Sequence, residues 1–371
     1  MKILLTGAAG FIGLHIASAL AGSGHEVVGV DALLAQAHGE AAPVPDGLVV
    51  ADIRTADLDE LLKGIDVVCH QAAVVGNGVD AQDFPDYAAY NDYGTAVLLA
   101  AMARSGVKDL VLASSMVVYG DGRYHCAEHG IVAPAVRERA DLDAGIFDPR
   151  CAACGNPIAW QEIAEDAPFN PRTSYAASKV AQEHYAGSWC TLESARAIAL
   201  RYHNVYGPGM PADTPYAGVA ALFRSALARG EAPRVLEDGN QMRDFVHVTD
   251  IARANVAAIE RVAEHRTSLT AYNVASGQPF TIGAMAEQLA KTAGGRATIA
   301  PSTCGTLSRR RKRPWRTWVH RSDRSRRGHY CPRDRSATPT LNRAQRTTGS
   351  VSRWAVEPVM IVTGVGVSPA R

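Results

Sequence analysis

Tyr175-Ala176-Ala177-Ser178-Lys179 places a phenol and an ammonium four residues apart, which on a helix puts both on one face. A phenol is a poor base at its ordinary pKa of about 10. A neighbouring cation favours the phenolate and brings proton abstraction into reach near neutral pH. A second polar group comes from Ser114-Ser115-Met116-Val117-Val118-Tyr119-Gly120, where Ser115 closes an apolar run and can hydrogen-bond a reacting oxygen. A tyrosine and a lysine at this spacing also describe many solvated helix faces. The upstream serine is what makes the pair a candidate for taking a proton from a hydroxyl group.

A second constellation is Cys126-Ala127-Glu128-His129 with Cys151-Ala152-Ala153-Cys154-Gly155. Two ligand pairs, each spaced by two residues, can wrap one tetrahedral Zn²⁺ as Cys₃His, and a glycine after the second cysteine suits a tight knuckle. Cys126, His129, Cys151 and Cys154 leave no ligand position open, so such a metal is structural. His125 is an alternative ligand, and reduced thiols in a surface loop are the ordinary alternative to a metal site.

The elements that must position these groups alternate strand and helix. Ile3–Thr6 reads as a strand, Gly13–Gly22 as a helix, Glu26–Asp31 as a strand and Leu58–Leu62 as a helix. Asp66–His70 is a strand, Tyr93–Ser105 a helix and Leu110–Ser114 a strand. The helix Tyr175–Cys190, the strand Ala197–Arg201 and the helix Thr249–Val262 continue the series. Strands separated by helices make βαβ units, so the fold class is α/β: a Rossmann-type doubly wound parallel sheet. Ala271–Val274 and the helix Ile282–Ala293 are expected in a smaller C-terminal substrate-binding lobe.

Between the first strand and helix lies Thr6-Gly7-Ala8-Ala9-Gly10-Phe11-Ile12-Gly13. Gly7 permits the tight turn, Gly10 lets backbone amides approach a pyrophosphate, and Gly13 permits close helix–strand packing; the helix N-terminus adds positive potential. The second strand ends in Asp31, whose carboxylate suits ribose hydroxyls and repels a 2′-phosphate. The expected cofactor is therefore NAD rather than NADP.

With Asp52-Ile53 after the third strand and then His70-Gln71-Ala72-Ala73, the chain resembles the extended short-chain dehydrogenase/reductases, the NAD-dependent epimerase/dehydratase family, through about residue 300. The resemblance implies that Asp52 holds the adenine amino group and that Phe11, Ile12, Ile53, Ala72, Ala73 and Ser114 lie along NAD. It also implies that Asn91 braces the site and that Ser115, Tyr175 and Lys179 form the catalytic trio, with Lys179 also on the nicotinamide ribose. Leu200-Arg201-Tyr202-His203-Asn204-Val205-Tyr206-Gly207-Pro208-Gly209 resembles the substrate-entry motif, with Asn204 on the sugar diphosphate and Tyr202 near the nicotinamide. Arg243 matches a diphosphate-binding arginine, and a guanidinium fork suits phosphate oxygens; an ion pair with Asp244 or Asp238 is the alternative.

The implied reaction is transient hydride transfer on a nucleotide-diphosphate sugar, with Tyr175 as base. Relatives that dehydrate the sugar carry an acid and a base directly after the serine. Met116 and Val117 stand there and can neither donate nor accept a proton, so the expected outcome is epimerisation, with 4,6-dehydration as the alternative. A non-catalytic NAD-binding regulator is the alternative outside enzymes. The family's pairing of two long helices implies a homodimer through Tyr93–Ser105 and Tyr175–Cys190.

The Ser115-to-Tyr175 interval spans 60 residues, more than the resemblance accounts for, and residues 121–168 read as an insertion bearing the Cys/His pairs. The expected division is an NAD-binding domain over residues 1–200 and a mainly substrate-binding lobe with returning sheet elements over 201–301. The remainder, 302–371, is aberrant. Net charge is +1 overall, but the body carries about −12 and the tail about +13. The Arg309-Arg310-Arg311-Lys312-Arg313 run could serve as a nucleic-acid arm. Read from the third base of each codon, however, Ser302–Val319 can encode a Leu-Gly-containing segment resembling the family's C-terminus. The tail is therefore read as a frameshifted, disordered segment, with no nucleic-acid partner expected. No run approaches the ~18–20 apolar residues of a membrane span. With seven unevenly spaced cysteines, the expected location is the cytoplasm.

Overall fold

Five strands of the first half and two from the second pair into one seven-stranded, all-parallel sheet in the computed structural model, which describes residues 1–39, 44–76, 81–211, 218–293 and 298–299. The spatial order is Leu269–Val274, Arg196–Tyr202, Asp109–Ser115, Val67–His70, Lys2–Thr6, Glu26–Asp31, Val49–Val50. Order reverses beside Lys2–Thr6, and ligands of doubly wound sheets bind at such a switch point, beyond the strands' C-terminal ends.

Successive side chains of a strand point to opposite faces. Ile3 and Leu5 accordingly join one core with Ile16, Leu20, Ile198, Ile251 and Ile259. This core lies beneath the helices Phe11–Gly22 and Val248–Arg261. Leu4 points the other way, into a core with Val68, Leu98, Met102, Leu112 and Trp189, beneath Gly94–Ser105 and Ser174–Glu193. Each such side chain contributes about 1.5–3 kcal/mol through burial. The sheet is thus covered on both faces and only its ends are free for chemistry.

Leu269–Val274 corrects one expectation. It pairs in parallel register with Arg196–Tyr202 along its whole length and forms the sheet edge rather than part of the smaller lobe. The lobe is built instead from Asn204–Tyr206, Met242–His247 and Pro279–Thr281. Helices Val219–Ala228 and Ile282–Thr292 pack beside it through Phe223, Val235 and Ala286.

The insertion forms its own three-stranded antiparallel sheet. Arg123–Cys126 lies between Gly130–Val132 and Ala159–Gln161. Arg123 stands opposite Gln161, and Asn170 N donates to Val118 O at 2.9 Å, so the segment leaves the main sheet and returns at nearly the same place. The tail, with its expected frameshift and disorder, lies outside the described residues. Among the described residues, no helix is long and apolar enough to cross a membrane.

Candidate active site

At the end of Lys2–Thr6 the chain turns through Gly7, whose φ of +69° lies in the region that favours glycine. A Cβ on Gly13 would sit 2.1 Å from Gly7 O, so the helix packs directly on the turn only because that atom is missing. Gly10, the N-cap of Phe11–Gly22, brings no side chain to the first amides. Those N–H groups face outward with the helix dipole behind them, the arrangement that holds a phosphate.

Asp31 closes the neighbouring strand. Its carboxylate accepts from Ala9 N at 3.0 Å and from Leu33 N at 2.9 Å, and it lies 3.3 Å from His38 Nε2. The glycine turn and the acid are therefore one bonded unit. Asp52 is held by Arg54, whose Nε and Nη2 donate to it and whose guanidinium lies 3.6 Å from the Tyr90 ring centroid. The Arg54 hydrogen bond holds the Asp52 carboxyl below its ordinary range, against the effect of burial. Ile53 is buried in the core, and its Cδ1 would lie 3.5 Å from a Cβ placed on Gly94. Phe11 packs toward Met210, Ile12 toward the first core and Ala72 toward the second. Ala73 stays half-buried in the turn after Val67–His70. A cradle that a Cβ would fill, an uncapped helix N-terminus and a strand-end carboxylate together fit an NAD dinucleotide.

Asn91 lies in a π-helical stretch, Ala88–Tyr93, that runs into Gly94–Ser105. The wider turn points its amide into the interior, where it is fully buried. Oδ1 accepts from Val74 N at 2.8 Å, and Nδ2 donates to Val74 O and to Ser178 Oγ, each at 2.9 Å. His70 is likewise buried, between Thr6 Oγ1 at 2.7 Å and Thr95 Oγ1 at 3.0 Å. Burial, with Lys179 nearby, depresses its pKa to about 3, so it is neutral.

Ser115 ends Asp109–Ser115, and its Oγ accepts from Val117 N at 3.3 Å. The helix Ser174–Glu193 starts at Thr173, whose Oγ1 accepts from Ala176 N at 3.1 Å. That cap sets Tyr175 toward Ser115, while Lys179 Nζ donates to Ala113 O at 2.8 Å, 5.8 Å from the tyrosine ring centroid. Burial raises the Tyr175 phenol, and the neighbouring Ser115 hydroxyl opposes this. Burial also lowers Lys179 to about 7, against Glu183 and Asp92. Desolvation opposes the charge on both groups, a cost that the expected activation of the tyrosine by the lysine cation has to overcome, and Ser115 favours the phenolate.

Sequence reasoning missed what supports this trio. Glu183, one turn after Lys179, accepts from Ser114 Oγ and from Arg201 Nε and Nη2, the last at 2.7 Å. Arg201 Nη1 also donates to Tyr119 at 2.7 Å and to Glu165 O at 2.8 Å. Arg201, following the apolar run 197–200 inside the strand Arg196–Tyr202, was the available signal, since a buried charge requires a partner. Ser114, expected along the cofactor, is buried and its side chain serves this network instead. Tyr202, expected near the nicotinamide, is in the first core, with its hydroxyl donating to Gln71 Oε1 at 3.2 Å and accepting from Asn255 Nδ2 at 2.7 Å.

Asn204 begins the next strand with a buried Oδ1 that finds no partner among the described residues. Arg243 is exposed and donates to Met242 O at 2.7 Å. Its alternative ion-pair partners are engaged elsewhere: Asp244 accepts from Ser276 N and Gly277 N, and Asp238 from Asn240. In the insertion, the four donor atoms of Cys126, His129, Cys151 and Cys154 all lie within 4.8 Å of one another, and His125 is outside that group.

The family profile described as "NAD dependent epimerase/dehydratase family" matches residues 3–134 and 151–275. The dTDP-L-rhamnose 4-epimerase of Burkholderia thailandensis is 36% identical over 299 residues, covering 78% of this chain and 80% of that protein. The UDP-glucose 4-epimerase of Mycolicibacterium smegmatis is 33% identical over 264 residues, 70% of this chain and 73% of that one. Among solved structures, the Thermus thermophilus UDP-glucose 4-epimerase complex with NAD superposes with a TM-score of 0.62 at 28% identity, covering 81% of this chain and 86% of that one. The Bacillus cereus UDP-glucuronic acid 4-epimerase with UDP-glucuronic acid and NAD gives 0.64 at 26% identity, covering 81% and 85%.

Proposed function

The chain belongs to the NAD-dependent epimerase/dehydratase family, and from that premise we propose that it is a nucleotide-sugar 4-epimerase using tightly held NAD. The observation that carries the reading is that Ser115, ending its strand at the C-terminal edge of the sheet, and Tyr175 and Lys179, opening the helix packed on that strand, converge at the end of the sheet where the glycine cradle lies. Gly7, Gly10, Phe11, Ile12 and Gly13 take the pyrophosphate side of NAD, Asp31 the adenosine ribose and Asp52 with Ile53 the adenine. Ala72, Ala73, Asn91 and the Ser114 backbone line or brace the nicotinamide half, and Tyr202 supports it from the core.

Bound NAD supplies a hydride acceptor and donor with a permanent positive charge in its oxidised ring. That charge favours the phenolate which burial opposes. Tyr175 then takes the proton of the sugar 4-hydroxyl, Ser115 hydrogen-bonds the same oxygen, and Lys179 positions the ribose side. Oxidation to the 4-keto sugar would pass the C4 hydride to bound NAD; after the sugar has turned, Tyr175 returns the proton to the oxygen as that hydride would return to the opposite face of C4, which completes inversion with no net oxidation. Asn204 and Arg243 hold the diphosphate. The sequence offers no acid–base pair at Met116 and Val117, and these residues begin the short 3₁₀ turn after the catalytic strand.

The proposed division is NAD binding by residues 1–200 and substrate binding mainly by 201–301. The proposed assembly is a homodimer through the Gly94–Ser105 and Ser174–Glu193 helices, which leave Tyr185 and Leu192 exposed. None of the five cysteines among the described residues is in a disulfide, which suits the proposed cytoplasmic location.

Incubation of the purified chain with UDP- and dTDP-hexoses tests the reading. Formation of the 4-epimer is expected, together with loss of at least about a hundredfold in rate for Tyr175→Phe with NAD still bound. A 4-keto-6-deoxy product would assign dehydration instead. NAD binding without turnover of any sugar would make the chain a regulator.

A further inference from the structure

Cys126 Sγ lies 3.6 Å from both His129 Nδ1 and Cys154 Sγ, and Cys151 Sγ lies 3.8 Å from His129 Nδ1. Zinc bonds of ~2.3 Å to sulfur and ~2.0–2.1 Å to nitrogen give tetrahedron edges of about 3.8 Å between sulfurs and about 3.6 Å between sulfur and nitrogen. A disulfide needs ~2.05 Å and is not formed at these separations. The backbone is already shaped for a clip. Cys126 pairs with Gly130 across a tight hairpin that carries His129. Cys151 N donates to Asn156 O, and Gly155 N donates back to Cys151 O, both at 2.8 Å, closing the second knuckle. Cys126 and Cys151 are buried although the insertion has little apolar core of its own.

The two knuckles meet where the chain leaves toward the smaller lobe. Pro134 bridges to Cys151, and Ala135 N donates to Arg150 O at 2.9 Å. Two residues further on, Arg137 Nη1 donates to both Glu237 oxygens at 3.1 and 3.0 Å. Glu237 is buried at a φ of +57° and also accepts from Gln241 Nε2 at 2.6 Å, in the turn that leads into the strand of Arg243. One side of this ion pair belongs to the insertion and the other to the lobe.

We propose that Cys126, His129, Cys151 and Cys154 bind one Zn²⁺ in a closed tetrahedral site, and that this metal seats Arg137 on Glu237 and so fixes the turn that presents Arg243. The metal has no open position and takes no part in chemistry. Binding replaces the three thiol protons by metal bonds, with no redox change. The consequence for sugar affinity rests on the function proposed above; the metal site and its hold on Glu237 do not.

Metal analysis of the purified chain is expected to find one zinc per chain, and a Cys126→Ser/Cys151→Ser variant less than about a tenth of that. Cobalt substitution should give the intense visible bands of tetrahedral thiolate coordination. Hydrogen exchange at residues 236–241 should accelerate in both the metal-free chain and Arg137→Ala, the latter with zinc retained. UDP-hexose affinity should weaken about tenfold in both, about 1.4 kcal/mol, while NAD affinity is unchanged. A zinc-free native chain, or one holding iron instead, overturns the metal assignment. Zinc at full stoichiometry with unaltered exchange at 236–241 in both chains overturns the coupling. If zinc and exchange behave as expected and no sugar binds, the functional reading fails and the metal proposal stands.

Discussion

Asn91 Nδ2 donates to Ser178 Oγ at 2.9 Å across the interior, joining the π-helical turn to the helix of Tyr175 and Lys179. Because the same amide satisfies both Val74 N and Val74 O, one side chain sets the distance between the cofactor-side turn and the catalytic helix. Asn91→Ala leaves the two Val74 groups buried without partners, each worth about 1–3 kcal/mol. The expected result is a loss of about 2–6 kcal/mol in urea unfolding, with a lower kcat in the protein that remains folded. An unchanged midpoint would show that the turn finds water instead.

Gly13→Ala tests the cradle. The added Cβ would meet Gly7 O at 2.1 Å and the Ala8 backbone at 3.0 Å, and neither is a flexible side chain. The helix must move off the turn, lowering stability by about 1–3 kcal/mol. NAD affinity should fall at least tenfold by fluorescence titration. Wild-type affinity in this variant would mean that the pyrophosphate is not held at this turn.

Lys179 gives a pH dependence whose sign is fixed by burial. Its folded pKa is about 7 against an ordinary 10.5, so between those values the unfolded chain binds a proton that the folded chain does not. Its contribution is complete above about pH 10.5, declines as pH falls, and levels off below about 7. The span is of order 5 kcal/mol. Lys179→Met removes this slope, so the wild-type-minus-variant stability difference should shrink or reverse from pH 10 to pH 7. Paired melts across that range check it. A difference that grows toward pH 7 would show that Glu183 and Asp92 outweigh burial.

Glu183→Ala strands the buried Arg201 guanidinium and releases Ser114. Breaking one side of a buried pair costs about 3–5 kcal/mol, and thermal unfolding should shift accordingly. Loss of stability below about 1 kcal/mol would place the pair in effective contact with solvent.

The parts of the fold that could be read from sequence were those with a strong local period: the glycine turn, the strand–helix alternation and the tyrosine–lysine helix. Leu269–Val274 escaped because its membership of the sheet depends on pairing with a strand some 70 residues earlier, which no local pattern records. Asn91 was legible as a brace only through the resemblance, and its inward direction comes from the wider π turn, a register change invisible in residue types. The Tyr175–Lys179 pair was legible from spacing, whereas the desolvation that opposes charge on both groups was not, because spacing carries no information about burial. The two Cys/His pairs were legible as spacing, while their convergence depends on the antiparallel sheet between them.

The pairing of Arg123 with Gln161 makes the insertion a side branch on the chain's topology. Everything beyond that pairing could be replaced by a short hairpin turn without rethreading the parallel sheet. Closing a loop roughly tenfold longer than such a turn costs about 2 kcal/mol of chain entropy, a penalty carried by the branch and not by the sheet. The branch can therefore be lengthened, shortened or exchanged between related chains as an interchangeable part, while the order in which the seven strands assemble is untouched.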